Sequence, residues 1–572
     1  MKELLLGNEA IARGAKDAGV GVVSSYPGTP STEVTETIAA LGGVYAEWAA
    51  NEKVAAEVAM GAAVTGARAM CCMKHVGLNV ASEVLFTGAY TGVNGGLVFV
   101  VADDPAMHSS QNEQDTRYYA MAAHVPILEP SDAQEAYDFT RLAFLLSESC
   151  DIPVIVRMTT RIAHTRGLVQ RREGEQPALL GYEKRPEKYV MMPNNARPRK
   201  HALMENLERV KAFAREHNIN RVEEGDSAGF VCAGGVYQYV KEARPNASIL
   251  KLGMPYPLLE EEVKAFCRGK APLYVVEELE PVLEMQLNTL GLFPEGKEIF
   301  SKYGEYSTKS IQMALDGEMD TMAEASQLPN RPPVLCPGCP HRSVYSVVKK
   351  LGLTAFGDIG CYTLGANPPL GALDTTICMG ASIGMAHGAA LARGEDFAQK
   401  SIAVIGDSTF FHSGLDGLAS AVYNNSNVTV LVLDNGTTGM TGHQENPSTG
   451  KTLLGDPAGK LSIEGIGTAM GIQTIHVVDA LVPSAVEAAL KDALTQKGVS
   501  LVVARHDCAL IEKPQAPLQV DAETCILCGM CLGTGCPALL RGENSVEINT
   551  SMCRGCKLCA SVCPVNAIGE GK

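Results

Sequence analysis

The sequence contains no apolar run long enough to cross a bilayer, and Met1 to Gly21 lacks the apolar core of a secretion signal. It has no surplus of positive charge either, because 48 Lys and Arg stand against 64 Asp and Glu, which leaves a formal net charge of −16. Nucleic acids and anionic membranes attract cations, so this balance argues against both as partners. We therefore expect a cytoplasmic protein with no membrane partner and no nucleic-acid partner.

Aromatic residues make up only 5% of the chain, whereas hydrophobic residues as a whole reach 46%. A chain of 572 residues with this composition is long enough for three or four globular domains. Cysteine, by contrast, is abundant, with 18 residues, eight of which lie between Cys525 and Cys563. Because the cytosol keeps structural disulfides rare, this clustering favours metal or redox chemistry.

The eight clustered cysteines form two runs that each end in Cys-Pro. The first run is C-x2-C-x2-C-x4-C-P and the second is C-x2-C-x2-C-x3-C-P. Zinc would explain CxxC pairs but not two such runs, which resemble bacterial two-cluster ferredoxins. The resemblance implies that the fourth cysteine of each run crosses to the other 4Fe-4S cluster, and the x4 spacing implies a longer loop. One cluster would then use Cys525, Cys528, Cys531 and Cys563, and the other Cys553, Cys556, Cys559 and Cys536.

Two short apolar runs, Ser401 to Ile405 and Val428 to Leu433, are predicted as buried parallel strands joined by an alanine-rich helix. Asp407 and Asn435 follow these strands and stand 28 residues apart. Parallel sheets gather ligands at the carboxyl ends of their strands, so we expect the two side chains to converge. Carboxylate and amide oxygens suit Mg2+, which takes its other ligands from phosphates and water. The alternative is an ordinary crossover whose polar ends only cap the strands.

This pattern resembles the thiamine diphosphate signature Gly-Asp-Gly followed by Asn, although Ser408 replaces the last glycine. The resemblance implies that Mg2+ is bound by Asp407, Asn435 and the carbonyl of Thr437, with Gly406 in the cofactor-binding loop.

A second segment, residues 377–392, resembles the part of thiamine enzymes in which a bulky apolar residue before a glycine holds the cofactor in a bent shape. Met379 matches that position and precedes Asp407 by 28 residues. The alternative is that the whole segment is the core-packing face of a helix.

Asn51 and Glu52 begin an alanine-rich segment that resembles the pyrimidine-binding domain of thiamine enzymes. A buried carboxyl group is needed there, because hydrogen bonding to the aminopyrimidine drives the tautomer that activates the thiazolium. Glu52 is our candidate for this catalytic and cofactor-binding role. The alternative is that Asn51 caps a helix and Glu52 only favours the positive end of its dipole.

The order of strands and helices predicts an α/β fold with five segments. We expect two doubly wound domains of the thiamine-diphosphate type, an intervening α/β domain and a C-terminal two-cluster ferredoxin domain. The boundaries are 1–165 for the pyrimidine-binding domain, 166–199 for a linker, 200–320 for a transketolase C-terminal-like domain, 330–515 for the diphosphate- and Mg-binding domain, and 518–572 for the ferredoxin domain.

Taken over essentially the full chain, this order resembles the alpha subunits of the indolepyruvate ferredoxin oxidoreductases, within the 2-oxoacid:ferredoxin oxidoreductase superfamily. The resemblance implies oxidative decarboxylation of an arylpyruvate to an acyl-CoA and carbon dioxide, with electrons passing through 4Fe-4S clusters to ferredoxin. It also implies a beta subunit and a hetero-oligomer such as α2β2. The alternatives are an aliphatic or branched-chain 2-oxoacid substrate, a non-oxidative thiamine decarboxylase with accessory clusters, and an electron carrier with a degenerate thiamine fold.

Four further cysteines match, in order, the proximal cluster of pyruvate-type relatives. Cys336 and Cys339 form a CxxC, Cys361 follows 22 residues after Cys339, and Cys508 lies far along the chain. We treat these four as a candidate third cluster. The alternative is a tight turn with buried thiols that act as small hydrophobic residues.

Overall fold

The computed structural model describes residues 2–175, 177–318 and 332–571. The chain divides into two compact units, Met1–Leu328 and Pro329–Lys572, which we call the first and second units. The predicted boundary between 320 and 330 lies outside the described residues. Among the described residues, no helix combines the length and the hydropathy that a membrane span needs.

The described part of the first unit contains two sheets of mainly parallel strands covered by helices, and a separate antiparallel pair of β1 and β8. Its strands are β1 Lys2–Leu6, β2 Val22–Ser25, β3 Tyr45–Trp48, β4 Ala69–Lys74, β5 Leu97–Asp103, β6 Ile127–Leu128, β7 Val154–Thr159, β8 Arg166–Gln170, β9 Arg221–Glu223, β10 Gly229–Ala233, β11 Ser248–Leu252 and β12 Leu273–Val276. Its helices are α1 Gly7–Asp17, α2 Thr32–Leu41, α3 Glu52–Val64, α4 His75–Thr91, α5 Thr116–Ala123, α6 Ala133–Cys150, α7 Thr160–His164, α8 Pro186–Tyr189, α9 Pro193–Glu216, α10 Val236–Ala243, α11 Glu260–Cys267, α12 Val282–Thr289 and α13 Thr308–Leu315.

The larger sheet of this unit has the strand order β3-β2-β4-β5-β7-β6, with every pairing parallel. Its central strand β5 is buried along its whole length, as expected for a sheet with helices on both faces. The smaller sheet has the order β12-β10-β11-β9, in which only β9 runs antiparallel. Both sheets therefore gather their functional loops at the carboxyl ends of parallel strands.

The segment 166–199, which we predict as a linker, carries regular structure at both ends. Strand β8 pairs with β1, and helix α9 begins at Pro193, whose ring suits the first helical position. The charged residues that suggested a solvated segment make specific contacts instead. Lys188 and Arg199 both form ion pairs with Asp151, at 2.8 and 3.2 Å.

The second unit contains a five-stranded parallel sheet and a C-terminal region with two short antiparallel pairs. Its strands are β13 Thr354–Phe356, β14 Ser401–Gly406, β15 Val428–Asp434, β16 Thr474–Asp479, β17 Val499–Arg505, β18 Leu518–Val520, β19 Leu539–Arg541, β20 Val546–Ile548 and β21 Ile568–Glu570. Its helices are α14 His341–Leu351, α15 Ala381–Arg393, α16 Glu395–Ala398, α17 Asp407–Thr409, α18 Leu415–Tyr423, α19 Ile463–Ala469, α20 Pro483–Thr495 and α21 Leu558–Ser561.

The sheet of the second unit has the order β13-β14-β15-β17-β16, again wholly parallel. Strands β14 and β15 are buried along their whole length and lie side by side. A π-helical turn, Phe410–Gly414, joins α17 to α18, so one continuous helix leaves β14 with an irregular first segment. Such turns are frequent at functional sites, and this one follows directly after Asp407.

The C-terminal region pairs β18 with β21 and β19 with β20. Its small apolar cluster is built from Leu518, Leu539, Val546 and Ile568, with several of the cysteines packed against it. So few apolar side chains make a thin core, and small domains of this size usually depend on a metal or on disulfides.

Candidate functional site

Asp407 and Asn435 stand at the carboxyl ends of the neighbouring strands β14 and β15, and the structure brings them together. The Asn435 amide lies 3.1 Å from Asp407 Oδ1 and 2.9 Å from the carbonyl oxygen of Thr437. With its nitrogen turned inwards, the amide donates to both oxygens. With its oxygen turned inwards, the amide oxygen lies at these same distances from Asp407 Oδ1 and from the Thr437 carbonyl oxygen. Neighbouring ligands of an octahedral Mg2+ are about 2.9 Å apart when each lies about 2.0–2.1 Å from the ion, so these spacings are close to those of such a site.

The electrostatics of Asp407 also fit a cation. Its side chain is only 3% exposed, and among the described residues no Lys, Arg or His forms an ion pair with it. Burial, with a further contribution from the nearby Asp434 carboxylate, raises the pKa of Asp407 to about 7. Hydrogen bonds from Asn446 Nδ2 at 3.0 Å and Ser448 Oγ at 3.4 Å to Asp407 Oδ2 offset this only in part. A bound divalent cation would stabilise the ionised carboxylate.

Two further features shape the loop at this end of β14. A Cβ at Gly406 would lie 2.4 Å from the Tyr362 ring, so only glycine fits there. Ser408, which departs from the usual Gly-Asp-Gly, accepts a hydrogen bond from Thr438 Oγ1 at 2.9 Å. The serine therefore ties the loop after β14 to the loop after β15.

Met379 lies in the turn before α15 and is partly exposed, rather than inside the helix core. Gly380, at φ +86°, and Ser382 donate their backbone N–H groups to the buried carboxylate of Asp358, at 2.8 and 3.1 Å. Asp358 thus fixes the start of α15 and the position of the preceding methionine. The arrangement fits an apolar side chain held at a ligand site.

Glu52 is the first residue of α3 and is 4% exposed. Asn51 caps this helix by accepting from the Val54 N–H at 2.9 Å, so the capping part of the alternative interpretation is observed. The cap does not account for the burial of Glu52, whose carboxylate packs against α4. A Cβ at Gly77 would lie 2.6 Å from Glu52 Oε1, so the glycine leaves room for the glutamate.

The eight C-terminal cysteines surround two cavities. Four of them line one cavity and the other four line the second. The first quartet is Cys525, Cys528, Cys531 and Cys563, and the second quartet is Cys536, Cys553, Cys556 and Cys559. Each quartet thus combines three cysteines of one run with the last cysteine of the other.

In the described part of the chain, no three His, Cys, Asp or Glu side chains lie close enough together to hold one metal ion. Apolar cavities ringed by four thiols fit four-iron clusters.

The four remaining cysteines of interest, Cys336, Cys339, Cys361 and Cys508, form what we call the CxxC group. Burial, with smaller contributions from negative charge on Cys508 and Cys336, raises the pKa of Cys361 to about 11. The pKa of Cys339 is raised to about 12 by burial, and charge on Cys361 and Cys336 again contributes. Such mutual effects require the four thiols to be neighbours.

The CxxC group lies beside the Asp407 site. The Cys508 N–H donates to the Asn435 carbonyl at 3.0 Å. A Cβ at Gly439 would lie 3.5 Å from Cys361 Sγ and 3.7 Å from Asn435 Nδ2, so this thiol and the amide share a neighbour. The structure therefore places the candidate third cluster next to the candidate metal-diphosphate anchor.

Sequence reasoning missed several residues that the structure shows at these sites. Asn446 and Ser448 contact Asp407 from a loop that lies 39 and 41 residues away in the sequence. The only sequence signal for this loop is its high content of polar and turn-forming residues. Asp358 was hidden in a short Gly-Asp pair. Arg342 lies three residues after Cys339 and is buried at 2% exposure, and no local sequence signal predicts that burial.

Three protein families match the chain. The family described as "Pyruvate flavodoxin/ferredoxin oxidoreductase, thiamine diP-bdg" matches residues 13–227. "Thiamine pyrophosphate enzyme, C-terminal TPP binding domain" matches residues 358–504, and "4Fe-4S binding domain" matches residues 546–569. These matches confirm the predicted α/β fold class, with its two thiamine-type domains and its C-terminal iron–sulfur domain.

Curated relatives cover nearly the whole chain. An indolepyruvate oxidoreductase subunit IorA from Archaeoglobus fulgidus is 41% identical over 620 residues, covering 100% of this chain and 98% of its own. The subunit IorA from Pyrococcus horikoshii is 42% identical over 625 residues, covering 99% and 96%. A 2-oxoglutarate synthase subunit KorA from Methanothermobacter thermautotrophicus is 34% identical over 170 residues, covering 28% and 45%.

The fold, the site and these matches together define a thiamine-diphosphate-dependent 2-oxoacid:ferredoxin oxidoreductase with an iron–sulfur domain. This class confirms the predicted enzyme type. Within it, the chain belongs to the family of the indolepyruvate oxidoreductase subunits IorA, whose members are subunits of a larger enzyme.

Proposed function

We propose that the chain catalyses the CoA-dependent oxidative decarboxylation of an arylpyruvate such as indolepyruvate, releasing an acyl-CoA and carbon dioxide. The electrons pass through 4Fe-4S clusters to ferredoxin. The printed names of the full-length relatives support indolepyruvate as the substrate. The observation that carries the proposal is the placement of the CxxC group between the Asp407 site and the second quartet, which offers a path for electrons.

Each residue has a role that follows from its position. Asp407, Asn435 and the Thr437 carbonyl hold Mg2+, which anchors the diphosphate, and Gly406 leaves room for the loop. Met379 supports the bent cofactor from the turn before α15. Thiamine diphosphate would supply a nucleophilic carbon and an electron sink for the decarboxylation at this site. Glu52 holds a proton at the aminopyrimidine ring and thereby favours the reactive tautomer.

The electron path uses three groups of cysteines. We assign one 4Fe-4S cluster to each quartet and a third to the CxxC group. The support is spatial, because Cys339 lines the same cavity as the second quartet. Electrons would then leave the thiamine site through the CxxC group, cross to the second quartet and continue to the first.

The cluster count is tested by replacing Cys361 and Cys508 together with alanine and measuring iron and sulfide in anaerobically purified protein. Three clusters predict about twelve irons per chain in the wild type and about eight in the variant. An unchanged count of about eight in both would leave the CxxC group as packing residues.

The partner subunit is tested by activity. We expect the enzyme to be a hetero-oligomer such as α2β2, whose beta subunit supplies part of the CoA-binding surface. The chain would be purified anaerobically with and without coexpressed beta subunit and assayed for viologen reduction with CoA. The substrates would include indolepyruvate, phenylpyruvate, pyruvate, a branched-chain oxoacid and 2-oxoglutarate.

The proposal predicts the highest kcat/KM with the two arylpyruvates, a requirement for CoA, and little or no activity without the beta subunit. Release of an aldehyde without CoA and without viologen reduction would instead support a non-oxidative decarboxylase. A preference for pyruvate or a branched-chain substrate would overturn the arylpyruvate assignment only.

A further inference from the structure

Arg342, the second residue of α14, points its guanidinium group into the interior of the second unit. The side chain is 2% exposed. Its Nε donates to the Cys336 carbonyl at 3.0 Å, and a further N–H donates to the Leu335 carbonyl. On the other side, Nη1 donates to the Thr534 carbonyl at 3.3 Å and to the Gly535 carbonyl. The guanidinium group therefore joins two separate stretches of backbone.

Both stretches carry cysteines of the proposed electron path. Leu335 and Cys336 begin the CxxC, and Thr534 and Gly535 directly precede Cys536 of the second quartet. Gly535 has a φ of +69°, and a Cβ on it would lie 3.1 Å from Arg342 Nη1. The backbone at this glycine thus approaches the guanidinium group in a way that a larger residue would prevent.

The buried charge of Arg342 has hydrogen-bond partners but no opposite side-chain charge. Among the described residues, no Asp or Glu forms an ion pair with it, and its hydrogen-bond acceptors are four backbone carbonyls. Carbonyl dipoles satisfy the donors, but burying an unpaired charge is unfavourable. Burial accordingly lowers the pKa of Arg342, whereas negative charge on Cys536, Cys339 and Cys336 raises it.

Arg342 also lines the cavity of the second quartet. This cavity is also lined by Gly338 and Cys339. The positive charge is therefore adjacent to both groups of thiols at once. A four-iron cluster with thiolate ligands is an anion that becomes more negative on reduction, and nearby charge is one of the factors that set its potential.

We propose that Arg342 is a shared positive charge between the cluster of the CxxC group and the cluster of the second quartet, and that it raises the reduction potentials of both. The inference rests on the proposed function, because it requires both clusters. In the transfer, the cluster of the CxxC group gives up one electron and the cluster of the second quartet accepts it. Arg342 gains and loses neither electron nor proton, so it acts through its position and its fixed charge.

The test is a redox titration of the full-length chain, monitored by electron paramagnetic resonance, after iron and sulfide have been counted. Arg342→Gln removes the charge and Arg342→Lys keeps it. Arg393→Gln, at the exposed end of α15, removes an equal charge far from the cysteines of these two groups and serves as the matched control.

We expect Arg342→Gln to shift the one-electron reduction equilibrium of both clusters at least tenfold towards the oxidised form, which corresponds to a fall of about 59 mV. Arg342→Lys should shift it less than threefold, and Arg393→Gln should leave it unchanged. Potentials in Arg342→Gln that match those of the wild type, with about twelve irons per chain in both, would overturn the role of Arg342 and leave the proposed function standing.

A wild-type count of about eight irons per chain would instead remove the cluster of the CxxC group, and with it the shared role. If Arg342→Gln assembles no clusters, the lysine variant decides. Rescue of iron content and potentials by lysine supports a role for charge, whereas loss of clusters in both variants shows that the hydrogen bonds to the four carbonyls matter and overturns the proposal.

Discussion

Each unit contains a group of buried charged side chains, and the two groups differ in how their charge is balanced. In the first unit, Arg117 and Arg157 are each 2% exposed and lie among carboxylates. Arg117 pairs with Asp115 at 2.5 Å and with Glu277 at 2.6 Å, and Arg157 pairs with Asp103 at 2.7 Å. In the second unit, by contrast, Asp407 and Arg342 are just as buried but pair with no opposite side-chain charge among the described residues.

This difference separates a structural charge network from a functional one. The arginines of the first unit obtain their counter-charges from the polypeptide, so that network stabilises the fold without any ligand. Asp407 and Arg342 in the second unit are opposite in sign to the groups that we propose they bind. A divalent cation suits Asp407, and anionic clusters suit Arg342. Buried charges that lack a counter-charge in the polypeptide are typical of sites where a cofactor supplies it.

The largest effect should follow from a change at Glu52. Glu52→Gln keeps the shape of the side chain but cannot drive the tautomer, so we expect kcat of the holoenzyme to fall by about 10²–10⁴-fold. Calorimetric titration should show cofactor binding within about threefold of the wild type, since one neutral amide replaces one carboxyl. Glu57→Gln, at the exposed end of a pair with Lys53 on the same helix, is the control and should leave kcat unchanged. Normal turnover in Glu52→Gln would exclude the assignment.

The next effect concerns the ion network of the first unit. Asp115→Asn leaves Arg117 buried with one counter-charge fewer, and the free energy of unfolding should fall by about 3–5 kcal/mol. Urea denaturation measures this change. The exposed pair Lys53–Glu57 should contribute less than about 1 kcal/mol, so Glu57→Gln again serves as the control. Equal effects of the two substitutions would remove the distinction between the buried network and a surface pair.

A smaller effect is expected from Glu278, which borders this network and is 8% exposed. Burial raises its pKa to about 7 from an ordinary value of 4.5. Between these pH values the folded chain binds more protons than the unfolded chain, so the free energy of unfolding should fall as the pH rises from 4.5 to 7. Glu278→Gln should remove this dependence and stabilise the protein by about 2–3 kcal/mol at pH 8.

Thermal unfolding of the wild type and Glu278→Gln across this range would measure the slope. The stability of the two proteins should converge below pH 4.5, where Glu278 becomes protonated in the unfolded state as well as in the folded state. Parallel curves at all pH values would show that Glu278 does not titrate on unfolding.

Dense local patterns made part of this structure predictable from sequence. The eight C-terminal cysteines occupy about forty residues, and the resemblance of their spacing to two-cluster ferredoxins implies the same two quartets that line the two cavities of the structure. The strands β14 and β15 were also recognisable, because buried parallel strands are continuous apolar runs. The placement of Asp407 and Asn435 then follows from the topology of a parallel sheet.

Contacts between distant residues were not predictable. Arg117 and Glu277 are 160 residues apart, and Arg342 reaches carbonyls 192 and 193 residues away. Nothing in the local sequence distinguishes such an arginine from a solvated one. The ion pairs of the segment 166–199 were not predictable for the same reason, because only the fold brings its charged residues near partners such as Asp151.

The central claim is that Asp407 is a buried carboxylate whose charge is balanced by a bound cation. Asp407→Asn should therefore act in opposite directions on two quantities. Affinity for thiamine diphosphate with Mg2+ should fall more than about 100-fold, because the metal loses its charged protein ligand. Without cofactor, the free energy of unfolding should rise by about 1–3 kcal/mol, because the neutral amide is easier to bury.

Calorimetric titration and urea denaturation of Asp407→Asn, beside Asp416→Asn on the exposed face of α18, measure both quantities. The account predicts weaker binding together with a more stable apoprotein for Asp407→Asn, and neither change for the control. Unchanged affinity, or an apoprotein destabilised as strongly as by Asp115→Asn, would contradict it.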